Sequence, residues 1–188
     1  MLVVCINSFN TRKYMHAALD LLCAVQAVDI GPCAIFVAIG GCRQERMLCM
    51  AGACIVTVKQ NLSDHNVFPA YAYACRCGFH WPAAKFVLLH DTCILAPSFE
   101  RCMRELASRA LPDFVFAHTY GLYNMGVCTH GFMMRRYDDW KSVTTLSKDK
   151  GIRLEQGEAV EIDGHRVPSL HAYSQHTLAR SGPPGDTD

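Results

Sequence analysis

The sequence has no excess of charge of either sign. It carries 18 Lys and Arg residues against 17 Asp and Glu residues, so its formal net charge at pH 7 is +1. A protein that attracts nucleic acid or an anionic membrane through its overall field needs a clear positive excess. The composition therefore gives no support to a nucleic-acid partner, although it is compatible with a local basic groove.

Long hydrophobic runs are also absent. No stretch of about 18 apolar residues, the length that crosses a bilayer, occurs in the 188 residues. The first apolar run covers only residues 2–6 and no basic segment precedes it, so it predicts a strand rather than a signal peptide. We expect no membrane span and a cytoplasmic location.

Three common motifs of nucleotide-binding and hydrolytic enzymes are missing. GxGxxG does not follow the first apolar run, and neither GxxxxGK[ST] nor GxSxG occurs in the chain. Their absence argues against the standard dinucleotide-binding, P-loop and α/β-hydrolase families.

Cysteine pairs at zinc-site spacing are missing as well, although the chain has 11 cysteines. No CxxC pair occurs, and the close pair Cys75 and Cys77 has no second pair at a suitable distance. Most cysteines lie within apolar runs, as Cys5, Cys23 and Cys54 do. We predict that they are small buried side chains that stay reduced.

Short apolar runs alternate with helical patterns along most of the chain. We predict strands at residues 2–6, 33–39, 53–59, 85–91 and 113–118, helices at 12–28, 43–50, 66–77 and 98–110, and a β-hairpin within 151–167. This alternation predicts a single α/β domain over residues 1–180, with a disordered tail at 181–188. Its sheet is expected to be mainly parallel, with helices on both faces and ligands at the carboxyl ends of the strands.

The most informative stretch is FVLLHDTCILAPSFERCM, residues 86–103, in which Asp91 ends a buried strand. A carboxylate at that place can bind a hard divalent cation, which in turn neutralises a diphosphate. The ordinary alternative is an Asp that caps a turn or pairs with a lysine.

The order of these segments resembles a small nucleotide-sugar glycosyltransferase of the GT-A fold. The segments that carry the resemblance are SFN after the first strand, GG after the second, DHN before a helix, LLHDT at the fourth strand and NMGV further on. The resemblance covers about residues 1–135 and rests on element order more than on identical motifs. It implies transfer of a sugar from a nucleoside diphosphate to the hydroxyl group of an acceptor.

The resemblance also implies a metal site. In that family a DxD motif at the end of the fourth strand holds a metal ion on the diphosphate, and His90-Asp91-Thr92 occupies this place. Asp91 is therefore the expected ligand of Mn²⁺ or Mg²⁺, with His171 or His176 as a further ligand, for which a surface histidine is the ordinary alternative. Because His and Thr replace the two acidic residues, a metal-independent or inactive relative is also open.

Residues around the donor and the acceptor follow from the same resemblance. Those expected at the nucleotide sugar are Asn7, Phe9, Asn10, Gly40, Asn66, His90, Thr92, Asn124 and Gly126, with Phe9 stacked on the base. Asp138 or Asp139 resembles the catalytic base that takes the proton of the acceptor hydroxyl. Arg135 or Arg136 is placed to neutralise phosphate instead, and the ordinary interpretation of this segment is a solvated helix start.

Other functions compete with this interpretation. A non-catalytic module that binds a nucleotide sugar or a glycan is the main alternative. A nucleotidyltransferase is disfavoured because no Gly-rich basic loop follows the first strand, and a hydrolase using Cys93 is disfavoured because no base partner is evident. Since 188 residues is short for a GT-A enzyme, we expect a partner protein or a further domain to help present the acceptor.

Overall fold

The computed structural model of the chain describes residues 1–50, 52–62, 67–111, 114–116 and 126–168. The strands in these ranges are β1 (Leu2–Phe9), β2 (Cys33–Gly40), β3 (Arg46–Met50), β4 (Ala53–Thr57), β5 (Lys85–His90), β6 (Phe114–Phe116), β7 (Gly126–Thr129), β8 (Val160–Ile162) and β9 (His165–Val167). The helices are α1 (Arg12–Gln26), α2 (Val67–Arg76), α3 (Phe99–Ser108), α4 (His130–Trp140) and α5 (Lys148–Glu155). None of these helices is long and apolar enough to cross a membrane.

Seven strands form one mixed sheet in the order β3-β4-β2-β1-β5-β7-β6, and β8 pairs with β9 as a separate hairpin. The four central strands β4, β2, β1 and β5 are parallel to one another. The edge strand β3 is antiparallel to β4, and β7 is antiparallel to both β5 and β6. The predicted α/β class with a mainly parallel sheet is confirmed.

Helices cover both faces of the sheet, as the sequence predicts. Side chains alternate between the two faces of a strand, so Val3 and Cys5 on β1 pack in the core beneath α2 and α4. Val4 and Ile6 point the other way, into the core beneath α1 and α3. The near-continuous apolar sequence of β1 follows from this, because a strand covered on both sides has no solvent face.

The boundary of β1 differs from the prediction. Asn7 and Ser8, expected in a turn, extend the strand to Phe9 and are fully buried. They stay in the sheet because β2 and β5 pair with them from either side. Of the other central strands, β2 ends one residue later than predicted, at Gly40, whereas β4 and β5 end earlier, at Thr57 and His90.

The helix predicted at residues 43–50 is wrong. Residues 46–50 form β3, which pairs with β4 around a turn that contains Gly52 at φ 82°. Arg, Gln, Glu, Met and Leu favour helix locally, but the unpaired edge of β4 supplies hydrogen bonds that outweigh this weak preference. Cys49 and Cys54 face each other in this pair and form a disulfide, so the prediction of a reduced thiol is wrong for these two. The predicted burial is also wrong for Cys23, Cys77 and Cys102, which are exposed.

The predicted C-terminal hairpin is confirmed in its second half. β8 and β9 enclose a turn in which Asp163 and Gly164 both have positive φ, at 50° and 77°. This is the conformation of a type I′ turn. Residues 151–155, which were expected in the hairpin, belong to α5 instead. The predicted tail at 181–188 lies outside the described residues.

A lysine joins the central sheet to helix α3. Lys85, the first residue of β5, donates from Nζ to the main-chain oxygens of Leu106 at 2.6 Å and Ala107 at 2.8 Å, and also to that of Arg109. These carbonyl groups lie at the C-terminus of α3, where no further helical turn supplies donors.

We expect Lys85→Met to lower the free energy of unfolding by about 2 kcal/mol, because these carbonyl groups lose a charged donor. For a chain of this size that loss lowers Tm by roughly 5 °C, measured by circular dichroism. Lys148→Met, which removes an exposed lysine of α5, is the matched control. Equal effects of the two substitutions would show that Lys85 has no special role at α3.

Candidate functional site

The parallel strands bring several of the predicted residues to one edge of the sheet. Asn7 on β1 is paired with His90 on β5, and Phe9 is paired with Gly40 on β2. Neighbouring strands lie about 4.8 Å apart, so these residues span roughly 10 Å across three strands. Asp91 follows directly, and its main-chain N–H donates to the oxygen of Asn7 at 3.1 Å.

Buried polar side chains concentrate at this edge. Among the described residues, five polar or charged residues are buried, and four of them, Asn7, Ser8, His90 and Asp91, lie at the carboxyl ends of β1 and β5. Polar groups are costly to remove from water, so a core under selection for stability alone keeps few of them together. Their concentration marks this edge as the candidate functional site.

Asp91 is the most exceptional residue of the group. Its side chain is only 1% exposed, and its Oδ1 lies 3.9 Å from Nδ1 of His90. Its Oδ2 is buried and accepts no hydrogen bond from any residue that the structure describes. Neither a lysine partner nor a capped turn, the two ordinary explanations, is seen for this carboxylate in the same ranges. A buried carboxylate in this state is destabilising until a cation or a donor reaches it.

His90 is held by its neighbour on β1. Nδ2 of Asn7 lies 3.4 Å from Nε2 of His90. An amide nitrogen can only donate, so Nε2 of His90 is the acceptor in this contact. The other ring nitrogen, Nδ1, lies 3.9 Å from Oδ1 of Asp91. Because Nε2 is engaged by Asn7, Asp91 is the stronger candidate ligand.

A cavity of about 320 Å³ reaches Asp91 from the side of helix α1. Thr92 lies in its lining, and α1 contributes Asp20 and Leu21. Asp20 is a second carboxylate at this cavity and was not singled out from the sequence, because it lies 71 residues away from Asp91 on the polar side of an amphipathic helix. Only the packing of α1 on the sheet places the two in one cavity.

Cys93 lines the same cavity but is a poor nucleophile. Burial raises the pKa of its thiol, a main-chain hydrogen bond at His90 lowers that pKa by less, and the charge of Asp91 adds a still smaller increase. The thiolate is the reactive form of cysteine. The structure therefore gives no support to a hydrolase that uses Cys93.

The predicted base-binding residues surround the end of β1. The Phe9 ring is half-buried and lies 5.5 Å from the ring of Tyr14 on α1. Asn10 is exposed; its main-chain N–H donates to the oxygen of Gly40 at 3.0 Å, and its Nδ2 donates to that of Gly41 at 3.4 Å. These contacts hold the loop after β1 against the end of β2. Tyr14 is an additional aromatic at this place that sequence reasoning missed.

The other predicted residues fall in three groups. Gly126 begins β7, the strand next to β5, and is paired there with Leu88, two residues before the end of β5.

Asp138 and Asp139 lie in the last turn of α4; Asp138 is 60% exposed and pairs with Lys141 at 3.0 Å, while Asp139 is half-buried. The expected helix start is thus a helix end. Outside the described residues lie Asn66, Asn124, His171 and His176.

A divalent cation fits the chemistry of this edge. The buried Oδ2 of Asp91 is a hard oxygen ligand without a protein partner in the described ranges, and hard oxygen is what Mg²⁺ and Mn²⁺ select. No three His, Cys, Asp or Glu side chains form a metal-binding group among the described residues. The site as described thus offers Asp91, with Asp20 in the same cavity, and leaves further ligands to the substrate or to other parts of the chain.

Comparison with known proteins found no match: no family model, no curated protein and no solved structure resembles the chain closely enough to be matched.

We expect Asp91→Asn to leave the ligand-free protein as stable as the wild type or more stable, by about 1 kcal/mol, because a neutral amide is cheaper to bury than an unpartnered charge. Chemical denaturation at pH 7 measures this. In the control Asp138→Asn, which removes an exposed ion pair, the change should stay within about 0.5 kcal/mol. A clear loss of stability in Asp91→Asn would mean that Asp91 is a structural residue.

Proposed function

We propose that the chain is a glycosyltransferase of the GT-A type that transfers a sugar from a nucleoside diphosphate to the hydroxyl group of an acceptor. The observation that carries the proposal is the buried carboxylate of Asp91, whose Oδ2 lacks a partner in the described ranges, at the carboxyl end of a central parallel strand. Open sheets of this kind bind their ligands at that edge. The resemblance in element order supplies the reaction type.

In this proposal each residue at the edge contacts a different part of the donor. Asp91 would hold Mn²⁺ or Mg²⁺, and the bound cation would neutralise the charge of the leaving diphosphate. Asn7 positions the ring of His90 through the contact of 3.4 Å, and Nδ1 of His90 lies 3.9 Å from Oδ1 of Asp91. Phe9 and Asn10 would bind the base and the ribose, next to Gly40, which is paired with Phe9 on β2.

Acceptor activation is assigned to the end of α4. A carboxylate that takes the proton of the attacking hydroxyl is needed for inversion at the sugar carbon. Asp138 reaches solvent on the last turn of α4 and is oriented by Lys141, and Asp139 stays its rival. Catalysis in such a site is mostly positioning of donor and acceptor together with stabilisation of the leaving group.

The alternative function is a non-catalytic module that binds a nucleotide sugar or a glycan. One observation favours it: Asp138 is bound to a neighbouring lysine at the surface rather than in contact with any of the buried residues at the edge of the sheet. Such a module would bind the donor, with or without a cation, but would not transfer the sugar.

A thermal-shift experiment tests the donor site. UDP-glucose, GDP-mannose and dTDP-glucose are each added with Mn²⁺ or with a chelator. A donor present at about 100 times its Kd stabilises the native state by about 2.7 kcal/mol, which raises Tm by about 5 °C or more. We expect one donor to give such a shift only with Mn²⁺, and Asp91→Asn to abolish it.

Two further variants sharpen the result. Asp29→Asn alters an exposed carboxylate that pairs with Arg104, and it should keep the full shift. Asp138→Asn should also keep the shift but lose sugar transfer by at least about 100-fold if it supplies the general base. A full shift in the presence of chelator, or in Asp91→Asn, would contradict the metal role. A shift without any transfer by the wild type favours the binding module.

A further inference from the structure

A second cavity lies apart from Asp91, on the face of the sheet that α2 and α4 cover. It is a groove of about 430 Å³ between α2, the end of α4, the segment 58–62 after β4 and Thr144-Thr145. Its volume is within the range of small-molecule sites. The proposed function uses Asp138, which lies beside this groove and pairs with Lys141 in its lining, but it assigns no ligand to the groove itself.

The groove is basic, although the chain as a whole is nearly neutral. Lys59, Arg76 and Lys141 line it from three separate segments, and Glu45 is the single acidic residue among the described residues of the lining. Lys141 forms an ion pair with Asp138 at 3.0 Å. Lys59 and Arg76 therefore supply most of the excess positive charge of the groove. Cations from separate elements that line one cavity are typical of a site for an anionic group.

The wall and the floor of the groove are aromatic. Phe68 and Trp140 form the floor, stacked at 5.3 Å between ring centroids and both almost fully buried. Tyr73 and Tyr137 are half-buried in the lining. The guanidinium group of Arg76 lies 4.8 Å from the ring centroid of Tyr73, which places a cation beside an aromatic surface.

Hydrogen-bonding groups complete the lining. Nε2 of Gln60 donates a hydrogen bond of 3.3 Å to the main-chain oxygen of Val143, in the segment that follows α4. Thr144 donates from both N and Oγ1 to Asp163, whereas the hydroxyl of Thr145 makes no hydrogen bond to another described residue. The hydroxyl of Thr145 is therefore available to a polar ligand. The hydroxyls of Tyr73 and Tyr137 belong to the same lining.

We propose that this groove binds an anionic saccharide, a sugar ring that carries a phosphate, sulfate or carboxylate group. The anionic group would lie between Lys59 and Arg76. The apolar face of the ring would pack on the aromatic wall, and its hydroxyls would bond Thr145 and the tyrosines.

The groove is separate from the cavity at Asp91, with which it shares no described lining residue. It adjoins the carboxyl edge at β2, where Gly41 donates to the oxygen of Gln60 at 2.9 Å. Three strand intervals separate the end of β4 from β5 in the sheet, which amounts to about 15 Å. The inference goes beyond the proposed function and can hold if that function fails.

Calorimetric titration with glucose 6-phosphate tests the groove. Compared with the wild type, we expect the double variant Lys59→Gln/Arg76→Gln to bind about ten-fold more weakly or worse, because both charged contacts to the anion are lost. Arg101→Gln is the matched control: it removes an exposed cation of α3, on the opposite face of the sheet, and should change Kd by less than about two-fold. Circular dichroism verifies that the variants are folded.

Trp140 supplies an independent readout, because Trp81 is 49% exposed and Trp140 is buried in the groove. In Trp81→Phe the remaining fluorescence comes from Trp140 and should change on titration with glucose 6-phosphate. The same response is expected in Trp81→Phe/Asp91→Asn. Its loss there would mean that the ligand binds at the donor site, contrary to the proposal.

Inorganic phosphate, glucose and glucuronic acid separate the parts of the ligand. We expect glucose and inorganic phosphate each to bind at least about ten-fold more weakly than glucose 6-phosphate, and glucuronic acid to bind if a carboxylate suffices. Equal binding of inorganic phosphate would overturn the saccharide assignment. Absence of binding at millimolar concentration of both anionic sugars, or equal losses in Arg101→Gln, would overturn the proposal as a whole.

Discussion

Strand β1 is hydrogen-bonded to a parallel strand on either side along most of its length, and helices pack on both of its faces. Residues 2–6 consequently have no contact with solvent. Burying them is the main favourable contribution that holds β2 and β5 in register, and the register decides which side chains meet at the carboxyl edge. The pairing of β1 with β5 places Asn7 beside His90, and the pairing of β1 with β2 places Phe9 beside Gly40.

Burial of the polar end of β1 costs free energy of folding, and burial of its apolar part offsets that cost. Continuing the strand through Asn7 and Ser8 buries two polar side chains, and β5 adds His90 and the carboxylate of Asp91 at the same level. A strand selected for packing alone would end before such residues or carry apolar ones. Stability given up at one edge of an otherwise well-packed sheet is the usual mark of a site that interacts with something outside the core.

The candidate donor site and the basic groove differ in the sign of their charge, although the ends of the same parallel strands position both. Asp91 and Asp20 give the cavity beside α1 a negative character, which suits a cation and, through it, a diphosphate. Lys59 and Arg76 give the groove beside α2 a positive character, which suits an anion directly. Because the two cavities open on opposite faces of the sheet, a charged ligand at one has little direct electrostatic influence on the other at physiological ionic strength.

The sequence by itself determined the α/β class, the central strands and the place of Asp91 at the carboxyl end of one of them, because a strand buried on both faces leaves a long apolar run that a polar residue visibly ends. It also determined the turn at Asp163 and Gly164, since the conformation of that turn is a local property. Tertiary structure alone decided that residues 46–50 are a strand, because the open edge of β4 outweighed a weak helical preference. It also decided that Asp20 joins Asp91 in one cavity, and that Lys59, Arg76 and Lys141 line one groove. Residues so far apart in sequence carry no local signal of their meeting, which depends on how α1, α2 and α4 pack on the sheet.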